Sequence, residues 1–419
     1  MQRGIAQFAL LILIGVSAVS AGLSKNGSSR ILPFEVDLSN EVPRMLDLID
    51  NTRLPEKPEY PGVGNSYGID LDVLKSLQKE WLYEYSWQKD QSYINSFHHF
   101  TTTIEGQKIH FIHEKSSHPN AIPLILFHGW PGSFLEFLPV ITNLTQGAIA
   151  PDKDPVTFNI IIPSLPGFAF SSAPPANWTA DDTARIMNTL MVDVLGYSKY
   201  AVHGTDWGSA VAWSLYDRFS IHVRASHFAF LPFMPMRSAN LAALNITLDA
   251  LETFEVARNE EWSTTGNGYF LEQSTEPNTI GLALYDNPVG QLAWIGSKII
   301  LWSDPRQGIP PSVVTHTEIL RSVSLYYLTN SFISAAFMYA QNSVGFKTNY
   351  VKANTDAPML FSAFKYNIAF WPEAIVAQVG NLVRFKNHDS GGHFPGLDNP
   401  PALVKDLREI GNWWNGTQI

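Results

Sequence analysis

Short apolar runs, each followed by turn residues, recur along this chain and are mostly separated by segments long enough to form a helix. The runs predicted as strands are residues 108–113, 123–127, 159–162, 200–202, 228–231, 358–361 and 382–385. Such an alternation is typical of a mostly parallel sheet that is covered by helices on both faces. The sequence therefore predicts an α/β architecture.

Two regions depart from the alternation. Residues 31–117 form a polar arm punctuated by prolines, in which the amphipathic stretch 71–87 predicts a helix. Between about residues 232 and 345, helix-like sequence rich in Trp and Tyr replaces the strand pattern. An insertion between late strands lies over the carboxyl ends of the sheet, where open α/β sheets bind ligands. We predict an N-terminal arm (22–117), a core in two parts (118–231 and 346–419) and a helical lid (232–345). The alternative, a second independent domain, is disfavoured because the sheet pattern resumes afterwards.

The composition restricts the possible partners. The chain has 419 residues, 45% of them hydrophobic, which is enough for a large core with additions. The net charge of −10 and the lack of a Lys/Arg cluster make nucleic acid an unsuitable partner. The absence of cysteine excludes disulfides, thiol chemistry and thiolate metal sites. No motif implies a metal, nucleotide or organic cofactor.

The N-terminal segment has the features of an export signal. Arg3 supplies a positive charge, residues 8–16 are apolar, and residues 19–21 offer small side chains for cleavage. We predict a signal peptide over residues 1–21 and a secreted or extracellular protein. The alternative is an uncleaved anchor that holds the protein on the endoplasmic reticulum membrane, although the apolar run is short for a bilayer span. Glycosylation sequons fit either location; they lie at Asn26, Asn143, Asn177, Asn245 and Asn415.

A G-x-D-x-G motif lies between a predicted strand and a predicted helix. Residues 204–208 read Gly-Thr-Asp-Trp-Gly, and the helical pattern follows over residues 209–216. In the nucleophile elbow of hydrolases, the glycines allow a sharp turn that presents the central residue to the active site. Asp206 stands where lipases and esterases carry Ser, and it is the predicted nucleophile.

An aspartate at this position changes the reaction. A carboxylate needs no general base to become nucleophilic at neutral pH, and it suits displacement at a saturated carbon. The product is an ester of the enzyme, which water can cleave at the aspartate carbonyl. That second step requires a base and an oxyanion hole.

Two further glycine-rich turns supply candidates for these roles. His393 lies in Gly-Gly-His-Phe, after the last predicted strand and before a predicted closing helix over residues 400–413, so it is the predicted base. Alone, a histidine in such a turn is more often structural. The turn at residues 128–133, His-Gly-Trp-Pro-Gly-Ser, follows the strand 123–127. We predict the backbone amides of Trp130 and Trp207 as oxyanion donors, the alternative being a tight turn without a catalytic role.

Three of these motifs, over residues 128–134, 204–209 and 391–394, together resemble those of the microsomal and fungal epoxide hydrolases, including juvenile hormone epoxide hydrolases. The resemblance covers nearly the whole chain and implies an α/β-hydrolase fold, a small apolar epoxide as substrate and water as the second reactant. Segments 33–36 and 51–55 resemble the start of the N-terminal domain of this family.

The resemblance also implies the acid that protonates the epoxide oxygen. A tyrosine, with a pKa of about 10, stays protonated at neutral pH and can donate. The lid segments 268–270, 277–281 and 287–290 resemble those that carry the first catalytic tyrosine of the family, and segment 337–339 resembles the one that carries the second. By this correspondence, Tyr269 and Tyr339 hold and protonate the epoxide oxygen.

One position departs from the family pattern. The family has Glu or Asp shortly after the strand that corresponds to residues 358–361, where it orients the catalytic histidine. Here Asn367 stands at that position. We expect Asn367 to orient His393 by itself. The alternative is that Glu373 acts in its place, which is disfavoured because Pro372 predicts the start of a helix that carries Glu373 away from His393.

Two competing functions follow from the same residues. A haloalkane dehalogenase uses an aspartyl ester and a histidine on this fold, with indole N–H groups such as those of Trp130 or Trp207 holding the halide. A degenerate hydrolase that binds an apolar ligand without turnover is compatible with the aromatic lid and with Asn367. The matched tyrosine segments favour an epoxide hydrolase.

Overall fold

The computed structural model describes residues 30–146 and 156–414. The predicted signal peptide or anchor and the sequons at Asn26 and Asn415 lie outside these residues. Within the two described ranges, no helix has both the length and the hydrophobicity that crossing a membrane requires.

A sheet of nine strands forms the centre of the described chain. The strands are β1 (Leu32–Phe34), β2 (His99–Ile104), β3 (Gln107–Glu114), β4 (Ile122–Phe127), β5 (Phe158–Pro163), β6 (Tyr200–Gly204), β7 (Val223–Phe228), β8 (Pro358–Phe364) and β9 (Asn381–His388). Their order in the sheet is β1-β2-β3-β5-β4-β6-β7-β8-β9. The pairings from β1 to β5 are antiparallel, and all pairings from β5 to β9 are parallel. The predicted α/β architecture with a mostly parallel sheet is confirmed.

Helices alternate with the strands of the core and form most of the arm and the lid. In chain order they are α1 (Val42–Asn51), α2 (Leu71–Tyr83) and α3 (Trp87–Ile94) in the arm; α4 (Leu138–Gln146), α5 (Ala180–Thr189) and α6 (Asp206–Arg218) in the core; α7 (Ser238–Ala243), α8 (Ala250–Glu261), α9 (Gly268–Thr275), α10 (Pro277–Leu284), α11 (Pro288–Gln291), α12 (Ser297–Trp302), α13 (His316–Leu328) and α14 (Phe332–Gln341) in the lid; and α15 (Glu373–Val379), α16 (Pro395–Asp398), α17 (Pro400–Arg408) and α18 (Gly411–Trp414) in the core again.

The predicted strand 228–231 is wrong, because β7 ends where that run begins. Polar residues interrupt the apolar run by which a buried strand is recognised: Ser226 and His227 are both fully buried in β7. The His227 ring satisfies its polar atoms through His203 at 2.9 Å and Ser362 at 3.0 Å. The apolar residues after Phe228 are instead a loop, whose Phe230 lines the pocket described below.

The arm also differs in detail from its prediction. The helix predicted over residues 71–87 ends at Tyr83, and a second helix begins at Trp87. Two strands that the sequence pattern did not indicate, β1 and β2, extend the sheet through β3. The alternation of apolar and polar residues is weak in both strands, because β1 has three residues and β2 is rich in threonine.

The lid lies between β7 and β8 and is bonded to the arm. The Trp81 indole N–H donates to the hydroxyl of Ser324 over 2.9 Å, and both side chains are buried. The guanidinium of Arg321 pairs with Asp90 at 2.7 Å in the same interface. These buried contacts join α13 of the lid to α2 and α3 of the arm.

Candidate active site

Asp206 lies at a sharp turn between β6 and α6. Its φ angle is +45°, a left-handed conformation that is strained for a residue with a Cβ. Glycines make the turn possible: a Cβ at Gly208 would lie 2.2 Å from the Phe127 carbonyl oxygen, and one at Gly204 would lie 2.6 Å from the Gly208 oxygen. The predicted elbow therefore presents Asp206 at the carboxyl end of the sheet.

The turn after β4 supplies a hydrogen bond to this carboxylate. The Trp130 backbone N–H donates to Oδ1 of Asp206 over 2.6 Å. A side chain at Gly129 is impossible, because its Cβ would lie 2.0 Å from the same oxygen. The Trp207 amide belongs to the first turn of α6, where N–H groups lack an acceptor within the helix. The arrangement can hold negative charge on one carboxylate oxygen.

His393 lies on the other side of Asp206 and is almost completely buried. Its Nε2 lies 3.3 Å from Oδ2 of Asp206 but outside hydrogen-bond geometry, so this nitrogen has no hydrogen-bond partner among the described residues. The rings of Trp302 and Phe230 pack edge-on against the imidazole, with centroids 5.0 and 5.6 Å away. Such packing fixes the plane of the ring.

The Asn367 amide sets the tautomer of His393. Asn367 Oδ1 lies 2.8 Å from His393 Nδ1 and also accepts the Ile368 N–H, while its Nδ2 donates to the Ala229 carbonyl oxygen over 3.2 Å. These two backbone partners determine which amide atom is oxygen. Because an oxygen faces Nδ1, that nitrogen carries the proton, and Nε2 of the neutral ring has a free lone pair.

Glu373 lies apart from this cluster. It is the first residue of α15 and is exposed, whereas His393 is buried against Asn367. The structure thus brings Asp206, His393 and Asn367 together and leaves Glu373 outside.

The two lid tyrosines meet above the carboxylate. Tyr269 comes from α9 and Tyr339 from α14, and their ring centroids are 5.9 Å apart. Trp130 contacts both, stacking on Tyr269 and meeting Tyr339 edge-on. Burial, with the nearby Asp206 charge as a further contribution, raises the pKa of each phenol well above its usual value. Both phenols are therefore protonated at neutral pH and can donate.

Asp206, Tyr269 and Tyr339 line one pocket, whose volume of about 390 Å³ includes space that is open to solvent. Asp206 is the one charged residue among the described residues that line it, and Met234 is an exposed member of the lining. The other lining residues are mostly aromatic or aliphatic; they are Trp207, Phe230, Phe233, Pro235, Trp262, Tyr269, Phe270, Tyr339, Phe346, Ile368 and Ala369. Such a lining suits an uncharged, apolar ligand.

Sequence reasoning missed the carboxylates that hold the His393 turn. Asp304, from the lid, accepts the Gly391 N–H over 2.9 Å. Asp398 accepts the N–H groups of Phe394 and of Asp304. The four-residue spacing from Phe394 to Asp398 was the one signal in the sequence, and Asp304 had none because it lies 87 residues from Gly391.

Another missed group is Glu136, in the turn after the Trp130 segment. It is buried, and its Oε1 has no hydrogen-bond partner among the described residues. Burial, followed by the charges of Asp206 and Asp398, raises the pKa of this carboxyl well above its usual value. Burial and the neighbouring charges therefore favour the neutral form of Glu136.

Comparisons with known proteins identify the family. Residues 31–137 match the family model for the epoxide hydrolase N terminus, and residues 122–276 match that for the alpha/beta hydrolase fold. Juvenile hormone epoxide hydrolase 2 of Ctenocephalides felis is 30% identical over 421 residues, which cover 92% of this chain and 86% of that protein.

Two solved structures are similar over nearly their full length. The epoxide hydrolase of Aspergillus niger is 34% identical with a TM-score of 0.78, covering 92% of this chain and 97% of that one. The juvenile hormone epoxide hydrolase of the silkworm Bombyx mori is 28% identical with a TM-score of 0.81, covering 92% and 95%. The fold, the turn sequences and these relatives show that the chain belongs to the epoxide hydrolase family of the α/β-hydrolase fold.

Proposed function

We propose that this protein hydrolyses an apolar epoxide to a vicinal diol through a covalent ester on Asp206. The observation that carries the proposal is the position of the Asp206 carboxylate. One oxygen accepts the Trp130 amide, the other lies 3.3 Å from His393 Nε2, and two protonated phenols line the same pocket.

In the first step, Oδ2 of Asp206 attacks a ring carbon while Oδ1 stays bonded to the Trp130 amide. The carbon–oxygen bond of the ring breaks, and its electron pair moves to the departing oxygen. A phenol of the lid, Tyr269 or Tyr339, transfers its proton to that oxygen. The products are a hydroxyalkyl ester of Asp206 and a tyrosinate.

In the second step, His393 Nε2 removes a proton from water, and the hydroxide adds to the ester carbonyl carbon. Oδ1 becomes the oxyanion, which the Trp130 N–H and the Trp207 amide stabilise. The intermediate then expels the diol oxygen, which takes the proton from the imidazolium. The remaining acidic proton of the Asp206 carboxyl returns to the tyrosinate, so every group regains its starting state.

Asn367 holds His393 for this step but does not offset its charge. The amide oxygen accepts the Nδ1–H and keeps Nε2 facing the carboxylate side. In serine proteases, the Asp-to-Asn change at the equivalent position lowers kcat by about 10⁴, mainly through the wrong tautomer. Here the contacts of Asn367 with Ile368 and Ala229 turn its oxygen toward His393 and so favour the His393 tautomer with the proton on Nδ1. We therefore expect a working enzyme with slow ester hydrolysis.

A dehalogenase activity is the second candidate, and one observation favours it. The indole Nε1 atoms of Trp130 and Trp207 are both buried without a hydrogen-bond partner among the described residues. Either could hold a departing halide, while a dehalogenase would not need two phenols in the pocket. Halide release from a chlorinated alkane, measured beside diol formation from an epoxide, distinguishes the two activities.

Brief exposure to styrene oxide followed by mass spectrometry tests the main proposal. We expect an adduct on the peptide that contains Asp206, together with phenylethanediol in solution. Asp217→Asn, on the same helix, is a matched control that should keep the adduct. An adduct on another residue, or diol formation by Asp206→Asn at the normal rate, contradicts the assignment. Tight ligand binding without adduct or diol supports the degenerate hydrolase.

We also propose that the protein enters the secretory pathway and is glycosylated. Asn143, Asn177 and Asn245 are exposed sequons in the described residues, so an oligosaccharide could be attached without unfolding. Residues 1–21 have the order of charge, apolar run and small residues that export requires. Retention of this segment would give the membrane-anchored form instead.

A further inference from the structure

Lys298 on α12 lies beside the active site without an ionic partner. Its ammonium is 5.4 Å from the centroid of the Tyr269 ring and 5.9 Å from that of Trp294. In the described parts of the chain, it has no hydrogen-bond acceptor and no carboxylate within 4.0 Å. Burial lowers the pKa of Lys298, and attraction to aromatic faces opposes this effect by favouring the cation.

The surroundings of Tyr269 leave one face of its ring to this ammonium. Trp130 stacks on the ring with a centroid distance of 5.1 Å and an interplanar angle of 11°, so it occupies one face. Trp302, one turn after Lys298, packs against the Tyr269 ring in a tilted arrangement, with ring centroids 5.1 Å apart. The ring is thus fixed between an indole and a cation.

Tyr339 has a different environment. Its ring meets Trp130, Trp207 and Phe270 edge-on, with centroids 5.7, 5.1 and 5.2 Å away. No Lys or Arg of the described residues lies over this ring, whereas Lys298 lies over that of Tyr269. Both phenols line the same pocket as Asp206. The two tyrosines are therefore electrostatically unequal.

A cation beside a phenol favours loss of its proton, because the resulting negative charge is shared between the oxygen and the ring. We propose that Lys298 is a positioning residue that makes Tyr269, rather than Tyr339, the proton donor to the epoxide oxygen. This inference rests on the proposed function. As Asp206 forms its bond to carbon and the ring carbon–oxygen bond breaks, the Tyr269 proton moves to the departing oxygen. The negative charge thereby passes from Asp206 to Tyr269, next to the ammonium. Tyr339 holds the oxygen by a hydrogen bond and keeps its proton.

A double-mutant cycle tests this role. The cycle combines two changes, Lys298→Met and Lys298→Arg, with three backgrounds: the wild type, Tyr269→Phe and Tyr339→Phe. In each protein, rapid quench and mass spectrometry measure the rate of ester formation from styrene oxide. We expect Lys298→Met to slow ester formation roughly tenfold in the wild type and in Tyr339→Phe, the size that a cation–π attraction gives. In Tyr269→Phe, the same change should have no effect. Lys298→Arg should retain most of the rate, because it keeps the charge.

The dependence of the rate on styrene oxide concentration distinguishes this electrostatic role of Lys298 from a role in packing. The half-saturating concentration of styrene oxide should stay within about twofold in Lys298→Met, since the ammonium does not line the pocket. Equal slowing in Tyr269→Phe and Tyr339→Phe would overturn the inference, as would failure of Lys298→Arg to restore the rate in a folded protein. Lys298→Gln, a neutral residue of similar length, should match Lys298→Met. If the wild type forms no ester at all, the proposed function itself fails.

Discussion

Asn367 Oδ1 accepts the Nδ1–H of His393 over 2.8 Å, in the place where the family resemblance implies a carboxylate. The same amide donates from Nδ2 to the Ala229 carbonyl oxygen over 3.2 Å. A carboxylate here would turn an oxygen toward that carbonyl, so the local backbone favours the amide. The site therefore has the geometry of a triad, but lacks a negative charge behind the histidine.

Asn367→Asp is expected to speed ester hydrolysis while destabilising the fold. The carboxylate stabilises the imidazolium that forms in the second step, but it loses the bond to Ala229, which costs about 1–3 kcal/mol. Single-turnover decay of the ester and chemical denaturation measure the two effects. Glu373→Gln, on exposed α15, should change neither. A collapse of turnover in folded Glu373→Gln would show that this residue, and not Asn367, supports His393.

His393→Gln is expected to separate the two chemical steps. It should allow ring opening and stall hydrolysis, since no base remains to activate water, so that an ester accumulates on Asp206. Asp206→Asn should instead fold normally and form no ester, because an amide cannot open the ring at a useful rate. Mass spectrometry of both variants after exposure to styrene oxide decides this. Absence of the ester in folded His393→Gln would count against a two-step reaction.

Tyr269→Phe and Tyr339→Phe are each expected to slow ring opening strongly without abolishing it, because the remaining phenol still donates. The double variant should be nearly inactive. If Lys298 acts as proposed, the loss is larger for Tyr269→Phe. The rate of ester formation is the measurement, and Tyr285→Phe, an exposed lid residue, is the control. Ring opening that is indifferent to both tyrosines would favour the dehalogenase.

Glu255 is expected to make the fold less stable as the pH rises. Burial raises the pKa of Glu255 on α8 to about 8, and the hydrogen bond of 2.7 Å that the carboxyl accepts from the Asn387 amide on β9 opposes this shift in part. In the unfolded chain the carboxyl ionises near 4.5. Between about pH 4.5 and pH 8, only the folded state keeps the proton. The stabilisation that Glu255 contributes is therefore complete below about pH 4.5 and is lost progressively as the pH rises to about 8.

The Glu255→Gln variant removes this titration. The neutral amide replaces the protonated acid, so the variant should gain stability relative to the wild type by about 1 kcal/mol per pH unit across that window. Urea denaturation at several pH values measures the difference, with the exposed Glu261→Gln as the control on the same helix. A difference that does not change with pH would contradict the assignment.

The mature chain is expected to begin near Gly22 and to occur outside the cytoplasm. The small residues that precede this position suit cleavage of an export signal. N-terminal sequencing of protein recovered from a secreting host checks the cleavage, and a mass shift on deglycosylation checks the exposed sequons. Recovery of Met1 on membrane-bound protein would replace the signal peptide by an anchor.

Much of the fold and of the chemistry could be predicted from short stretches of sequence. The elbow around Asp206 and the turn around Trp130 are each coded by glycines within a few residues, because only residues without a Cβ fit against the neighbouring backbone. The parallel strands were recognisable where both faces of the sheet are buried and the run is continuously apolar, as in β4 and β5. The β7 strand was misplaced because its buried Ser226 and His227 are satisfied by residues from other strands.

Tertiary packing decided the contacts between distant parts of the chain. The family correspondence and Pro372 favoured Asn367 over Glu373, but the contact itself depends on how the loop after β8 turns toward His393. The same holds for Asp304, which reaches the His393 turn from the lid, and for Lys298, which meets Tyr269 only because α9 and α12 pack together. Local backbone sterics act over a few residues and can be read along the chain. Contacts across 26 or 87 residues depend on how whole helices and strands bury their apolar faces, which no local pattern specifies.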